Sequence, residues 1–173
     1  ARGNMKSKLI LIILFALLVD GCGYRLVGSE SSLPPHLKTM SIDMFGNATG
    51  EPEVQNGLTN SIRESFINDG RLKIINENTA DLLMKGVLFQ YELRPISFDR
   101  RDVVVEYWVI LGVEIEVTDQ VKKKTYLKQK FSTKWDYKAS AVVANSEASR
   151  QLALSEAFRD LATRVVSIVV EKF

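Results

Sequence analysis

From Val103 to Thr118 every odd position is apolar, as Val103, Val105, Tyr107, Val109, Leu111, Val113, Ile115 and Val117. Alternation of period two is the mark of a strand with one face in a core. The even positions, Glu106, Trp108, Ile110, Gly112, Glu114 and Glu116, give the other face a mixed character. Residues 119–124 read as a hairpin turn, and a returning strand from Thr125 to Tyr137 carries Leu127, Phe131 and Trp135 on its odd face. Upstream, Met40, Ile42 and Met44 alternate within a first strand over residues 37–45, a short strand falls near Leu72 to Ile75, and another runs from Leu82 to Leu93, where Arg94-Pro95 is expected to break it.

Two segments carry the longer helical period instead. After the turn residues Gly46 to Gly50, Pro52 opens a helix in which Val54, Leu58, Ile62 and Phe66 recur every fourth residue until Gly70 stops it. The second helix, expected over residues 146–171, gathers Leu154, Ala157, Phe158, Leu161, Val165, Ile168 and Val169 into one stripe. Two amphipathic helices and four or five strands, in the order strand, helix, strands, helix, predict a two-layer α+β sandwich with both helices on a mixed sheet.

The first residues follow neither pattern. Arg2, Lys6 and Lys8 precede an unbroken apolar run from Leu9 to Val19, followed by Asp20, Gly21 and Cys22, and Ala1 to Asn4 stand before Met5, the more natural start. Eleven apolar residues rise about 16 Å as a helix, against roughly 30 Å of bilayer hydrocarbon, so the run has signal-peptide length. The expected organisation is a cleaved signal over residues 1–21, a tether over 22–35 closed by Leu33-Pro34-Pro35, and one domain over 36–173. Val19-Asp20-Gly21-Cys22 resembles the lipobox at which bacterial lipoproteins are acylated and cut. Acylation gives the chain's one cysteine a use, since it has no partner for a disulfide.

Removing the signal changes the charge picture. Its loss takes Arg2, Lys6, Lys8 and Asp20, so 23 basic and 21 acidic residues become 20 of each. A neutral mature chain argues against nucleic acid as partner. His36, the single histidine, sits beside two prolines, and no metal-ligand spacing, nucleophile triad or glycine-rich phosphate loop occurs, so neither an enzyme nor a cofactor is expected beyond a covalent lipid on Cys22.

In this order, Cys22-Gly23-Tyr24-Arg25-Leu26, Leu33-Pro34, the run from Phe45 to Pro52, Asp69-Gly70-Arg71, Ala80-Asp81, Glu106-Tyr107 and the long last helix together resemble the LptE family. The resemblance implies an outer-membrane lipoprotein that plugs the LptD β-barrel, helps it assemble and engages lipopolysaccharide during export. Lipopolysaccharide is anionic, which makes basic groups its candidate contacts: Lys122, Lys123 and Lys124 at the hairpin turn, and Arg94, Arg100 and Arg101 before the long strand. Trp108 and Ile110 on the mixed face, with Leu152, Val166 and Val170 off the main stripe of the last helix, are candidate barrel contacts, as apolar surface left over by a domain standing alone. The alternative is a periplasm-facing lipoprotein that regulates a peptidoglycan synthase or another envelope lipid-transport complex.

Overall fold

The computed structural model describes residues 33–76 and 79–171. The predicted signal, Cys22 and most of the tether lie outside the described residues. The elements are β1 (Thr39–Ile42), β2 (Gly46–Asn47), α1 (Val54–Asp69), β3 (Lys73–Ile74), β4 (Leu82–Phe98), β5 (Val104–Asp119), β6 (Lys124–Lys138) and α2 (Val143–Val170). Five strands run in the order β3-β1-β4-β5-β6, and β2 pairs with β4 farther along the same edge as β1. β1 lies parallel to β3 and β4, whereas β4, β5 and β6 form an antiparallel meander. Both helices cover one face of this mixed sheet, which makes the architecture the expected two-layer α+β sandwich.

The period-four stripe of α1 is the buried one: Val54, Leu58, Ile62 and Phe66 all face inward. Gly70 ends the helix in the left-handed region at φ 75°, and its N–H donates to Phe66 O at 3.1 Å. At the other end Asn47 organises the turn into α1. Its amide nitrogen donates to Glu51 O at 2.7 Å and Gln55 Oε1 at 2.9 Å, while its Oδ1 accepts from Thr49 N at 2.8 Å.

The structure departs from the sequence reading in several places. β4 does not break at Arg94-Pro95 but continues to Phe98. Its pairing with β2 ends at Asn47↔Leu88, so among the described residues Pro95 lies on an open edge and interrupts no ladder on that side. The alternation of Met40, Ile42 and Met44 fails at its last member, because four steps from Ile42 to Gly46 oppose three from Met84 to Val87. The extra residue turns Phe45 into the core and leaves Met44 exposed.

Third, the tether ends earlier than residue 35, since Leu33 and Leu37 both belong to the core. Fourth, the inward face of α2 is wider than the predicted stripe and takes in Val166 and Val170, which are buried. α2 packs against α1, β5 and β6 together, and several neighbours need more of its circumference than one sheet would. No residue of α2 before Ala153 is buried.

A second surplus residue re-aims β4. The register shifts between Leu88↔Val113 and Gln90↔Gly112, leaving Phe89 unmatched. Leu82, Met84 and Leu88 face the helices before this bulge, and Tyr91 does so after it. The apolar face of β5 is buried where the helices cover it: Val109 through Val117 at odd positions have no exposed surface, whereas Val105 is 36% exposed and Val103, just before the strand, 55%. The β4–β5 hairpin thus projects past the helical layer.

Candidate functional site

The two basic groups picked out in the sequence sit at opposite ends of β5. Lys122, Lys123 and Lys124 lie at the β5–β6 turn, all exposed. Arg100 and Arg101 lie at the β4–β5 turn, a strand length of about 50 Å away. Arg94 belongs to neither turn. It stands on β4 opposite Trp108, on the face of the sheet that the helices leave free, and its guanidinium holds Glu92 at 2.9 Å.

That helix-free face divides by its charge pairing. Toward the β5–β6 turn, Glu114 and Glu116 meet Lys128 and Lys130 at 3.3–3.4 Å, the cross-strand compensation the hairpin register demands. Hydrogen bonds from Lys128 keep the Glu114 carboxyl below its usual range, with Lys130 adding to the effect. Among them lies a cleft of about 300 Å³ lined by Lys85, Gly86, Val87, Phe89, Glu114 and Glu116. Lys130 Nζ stands 5.2 Å from the Phe89 ring centre. Farther along, Trp108 and Ile110 are half-buried, and Lys134 lies over the Trp108 ring at 4.1 Å. The sequence gives Lys134 no separate prominence among the alternating lysines of β6, because only the fold shows it opposite Ile110 rather than a glutamate.

On the helix side, Arg150 gathers groups that the sequence keeps far apart. It donates to Glu51 at 3.1 Å, to the Tyr91 hydroxyl at 2.7 Å and to Glu147 at 2.7–2.8 Å. Arg150 and the Gln151 amide hold the Glu147 carboxyl down at about 2, and the bond to Glu147 in turn raises Arg150 above its ordinary value. A cleft of about 360 Å³ between the starts of α1 and α2 opens beside it, lined in part by Glu51, Glu53, Arg150 and Phe158. Tyr107 and Tyr137 stack nearby at 5.5 Å, and burial pushes the Tyr137 hydroxyl up.

The tip beyond these tyrosines is apolar and open. Phe98, Val103, Val105 and Leu93 are exposed on the hairpin, and Val142 and Val143 are exposed where α2 begins, the last at 82%. Apolar exposure concentrated at one end of the sheet is what a surface that meets something other than water requires. Of the candidate barrel contacts, Leu152 is exposed at 69% and Trp108 and Ile110 keep partial access. Val166, 7% exposed, and Val170, fully buried, have little or none to offer, because they are part of the core.

The opposite end is polar and tightly bonded. Asp119, 2% exposed, accepts from His36 Nε2 at 2.9 Å and from the Lys122 amide at 2.8 Å. Burial pushes this carboxyl up, but the two hydrogen bonds and the nearby imidazole outweigh it and hold it below the usual range. Asp81 accepts from the amides of Lys38 and Thr39 and from the Thr39 hydroxyl, all at 2.8–2.9 Å. Its carboxyl is lowered chiefly by the Lys38 amide. Among the described residues no group of three or more His, Cys, Asp or Glu could hold a metal ion, and no helix is long and apolar enough to cross a membrane.

This sandwich is one that solved bacterial lipoproteins share. Lipoprotein B of Nitrosomonas europaea superposes with a TM-score of 0.59 at 17% identity, over 87% of this chain and 92% of that one. The rare lipoprotein B of Shewanella oneidensis gives 0.56 at 18%, over 76% and 95%, and a minor lipoprotein of Acinetobacter baumannii gives 0.54 at 15%, over 78% and 94%. At such identities the likeness is one of fold. A comparison with curated proteins gives no match. The family model for LptE, described as lipopolysaccharide-assembly, matches residues 37–167, from the start of β1 almost to the end of α2. The chain belongs to the LptE lipopolysaccharide-assembly family.

Proposed function

We propose that this chain is an outer-membrane lipoprotein, anchored through acylated Cys22 after removal of residues 1–21, that plugs the LptD β-barrel and helps it assemble for lipopolysaccharide export. The family match across the whole sandwich carries this reading. The role is one of binding and assembly, without catalysis. A projecting hairpin with an apolar tip suits a plug, because the surface it exposes is covered once the tip enters a lumen. Arg100 and Arg101 beside Phe98 and Val103 combine cationic and apolar groups, as an amphiphile with phosphates and acyl chains requires, so the tip is the end assigned to lipopolysaccharide.

Gentle detergent extraction from the envelope followed by identification of co-purifying proteins tests the reading. A large β-barrel present in equal amount is the expected result. Recovery of a peptidoglycan synthase or another lipid-transport complex, with no barrel, overturns it.

A further inference from the structure

β6 ends the sheet, and among the described residues no strand lies beyond it. Unlike β4, it has neither a proline nor a register shift from Leu127 to Lys138. Just past the strand, Ala139 N donates to Val105 O at 2.9 Å, and from there to Leu127↔Val117 odd residues of β6 stand opposite odd residues of β5. The odd residues therefore give their backbone groups to β5, and the even ones turn N–H and C=O outward. Arg164 of α2 agrees with this direction, since its Nη1 donates to Ser132 O at 2.9 Å. No other outward backbone group from Lys128 to Asp136 has a partner among the described residues.

The same even positions place Lys128, Lys130, Lys134 and Lys138 on the helix-free face, all exposed, with Asp136 among them. Lys134 and Lys138 form no ion pair among the described residues. Lys128 and Lys130 do, but both stay more than half exposed, and an ammonium has three donors. An open edge accepts an added strand through main-chain bonds, and the side chains at alternate positions select which strand. A second copy paired antiparallel about Ser132 would set Lys130 against Lys134, a destabilising pair, and edge lysines likewise deter strands without charge. Acids at alternate positions would instead repeat, on the outer side of β6, the Glu–Lys pairing that β5 makes on its inner side. The geometry points to β6 as the docking edge for an extended acidic segment of a partner protein, added as a further strand with its acids on the helix-free face. On docking, a backbone N–H of that segment replaces the Arg164 guanidinium at Ser132 O, and Arg164 retains Asp160, 3.4 Å away. The inference needs neither the anchor nor the barrel, and the tip of the β4–β5 hairpin takes no part in it.

Residues 31–173 form a compact unit of their own, so the chain from residue 22 with Cys22→Ser is a folded, unacylated probe. It is to be titrated with a short capped synthetic peptide that alternates Glu with Thr. The expected result is saturable binding that slows hydrogen exchange at the amides of Lys128, Lys130, Ser132, Lys134 and Asp136. Lys in place of Glu in the peptide weakens binding on the order of tenfold or more, because several cross-strand pairs change sign together. Methylating the backbone nitrogens of its Glu residues, which face β6 in this pairing, abolishes binding. Ser132→Pro removes an outward donor and no bond to β5, so it weakens binding on the order of tenfold at a similar melting temperature. Should that variant fail to fold, the peptide series on the unaltered edge still decides. Equal binding of the acidic and basic peptides, undiminished binding of the methylated one, slowed exchange only outside β6, or no saturable binding of the acidic peptide overturns the proposal.

Discussion

His36 and Asp119 stand 83 positions apart in the chain and 2.9 Å apart in the fold, joining the residues that lead into β1 to the far end of β5. Because the folded carboxyl titrates below its ordinary range, its contribution to stability is complete at neutral pH and is lost as pH falls through the folded value. Asp119→Asn is expected to lower stability at neutral pH by about 1–3 kcal/mol, since it weakens charge-assisted bonds at a buried site. The same variant flattens the acid limb of the stability profile. Denaturant titrations of both proteins from neutral to acid pH measure the two effects, and parallel profiles would refute the assignment.

Arg150 fastens a helix start that has no buried residue of its own. Replacing it with Met removes the bonds to Glu51, Tyr91 and Glu147 while keeping an unbranched stem. Hydrogen exchange is expected to quicken across residues 143–152 and to stay unchanged over 157–170. Uniform acceleration along the whole of α2 would show that the contact supports the entire helix instead.

Two glycines of the sheet press against phenylalanine rings with different freedom to yield. A Cβ at Gly86 would lie 2.6 Å from Phe45, which is 2% exposed, and one at Gly112 would lie 2.7 Å from Phe89, which is 40% exposed. Gly86→Ala is therefore expected to cost about 1–3 kcal/mol by overpacking. Gly112→Ala is expected to cost less than Gly86→Ala, because the Phe89 ring can swing outward and leaves the Gln90 Cβ, at 3.0 Å, as the remaining close contact. Urea midpoints for the pair decide the order, and a larger loss at Gly112 contradicts it.

The burial of α2 separates surface from core among the candidate barrel contacts. Val170→Ala is expected to destabilise the domain by about 1–3 kcal/mol, whereas Leu152→Asp should stay within about 0.5 kcal/mol. A photocrosslinker at Leu152, Trp108 or Ile110 is expected to capture a large barrel protein in envelopes. Capture at none of these three, from cells holding normal amounts of the folded protein, would count against the plug.

At the tip, changing Arg100 and Arg101 together to Ser is expected to weaken lipopolysaccharide binding at least tenfold with little effect on melting temperature. Changing the three turn lysines should leave that binding within about twofold. Titration of the variants with labelled lipopolysaccharide measures both, and the reverse ranking would move the site to the other end of β5.

Local periodicity is legible wherever the face turned to the core is narrow and regular. The spacing of Val54, Leu58, Ile62 and Phe66 and the odd positions of β5 from Val109 onward identify their buried faces correctly, because each set lies within one regular stripe that faces the core. The surplus residues at Met44 and Phe89 hide from such a reading, since a bulge is defined by the partner strand's register rather than by the bulged strand. Pro95 misleads for a related reason: it stops a strand flanked on both sides, and only the sheet order shows that this one is flanked on one. The basic groups could be picked out as clusters, but their separation along β5 and the company each keeps, polar bonds at one end and bare apolar side chains at the other, arise from contacts between residues 59 to 99 positions apart.

The open stretch of β4 from Phe89 to Phe98 bears on the time before any partner is met. Its outer edge starts at a bulge that bends it and contains a proline that lacks a donor, so it offers an incoming strand a broken set of partners. Two copies meeting in transit find no continuous ladder to share there. A long hairpin can therefore wait exposed without zipping onto its twin.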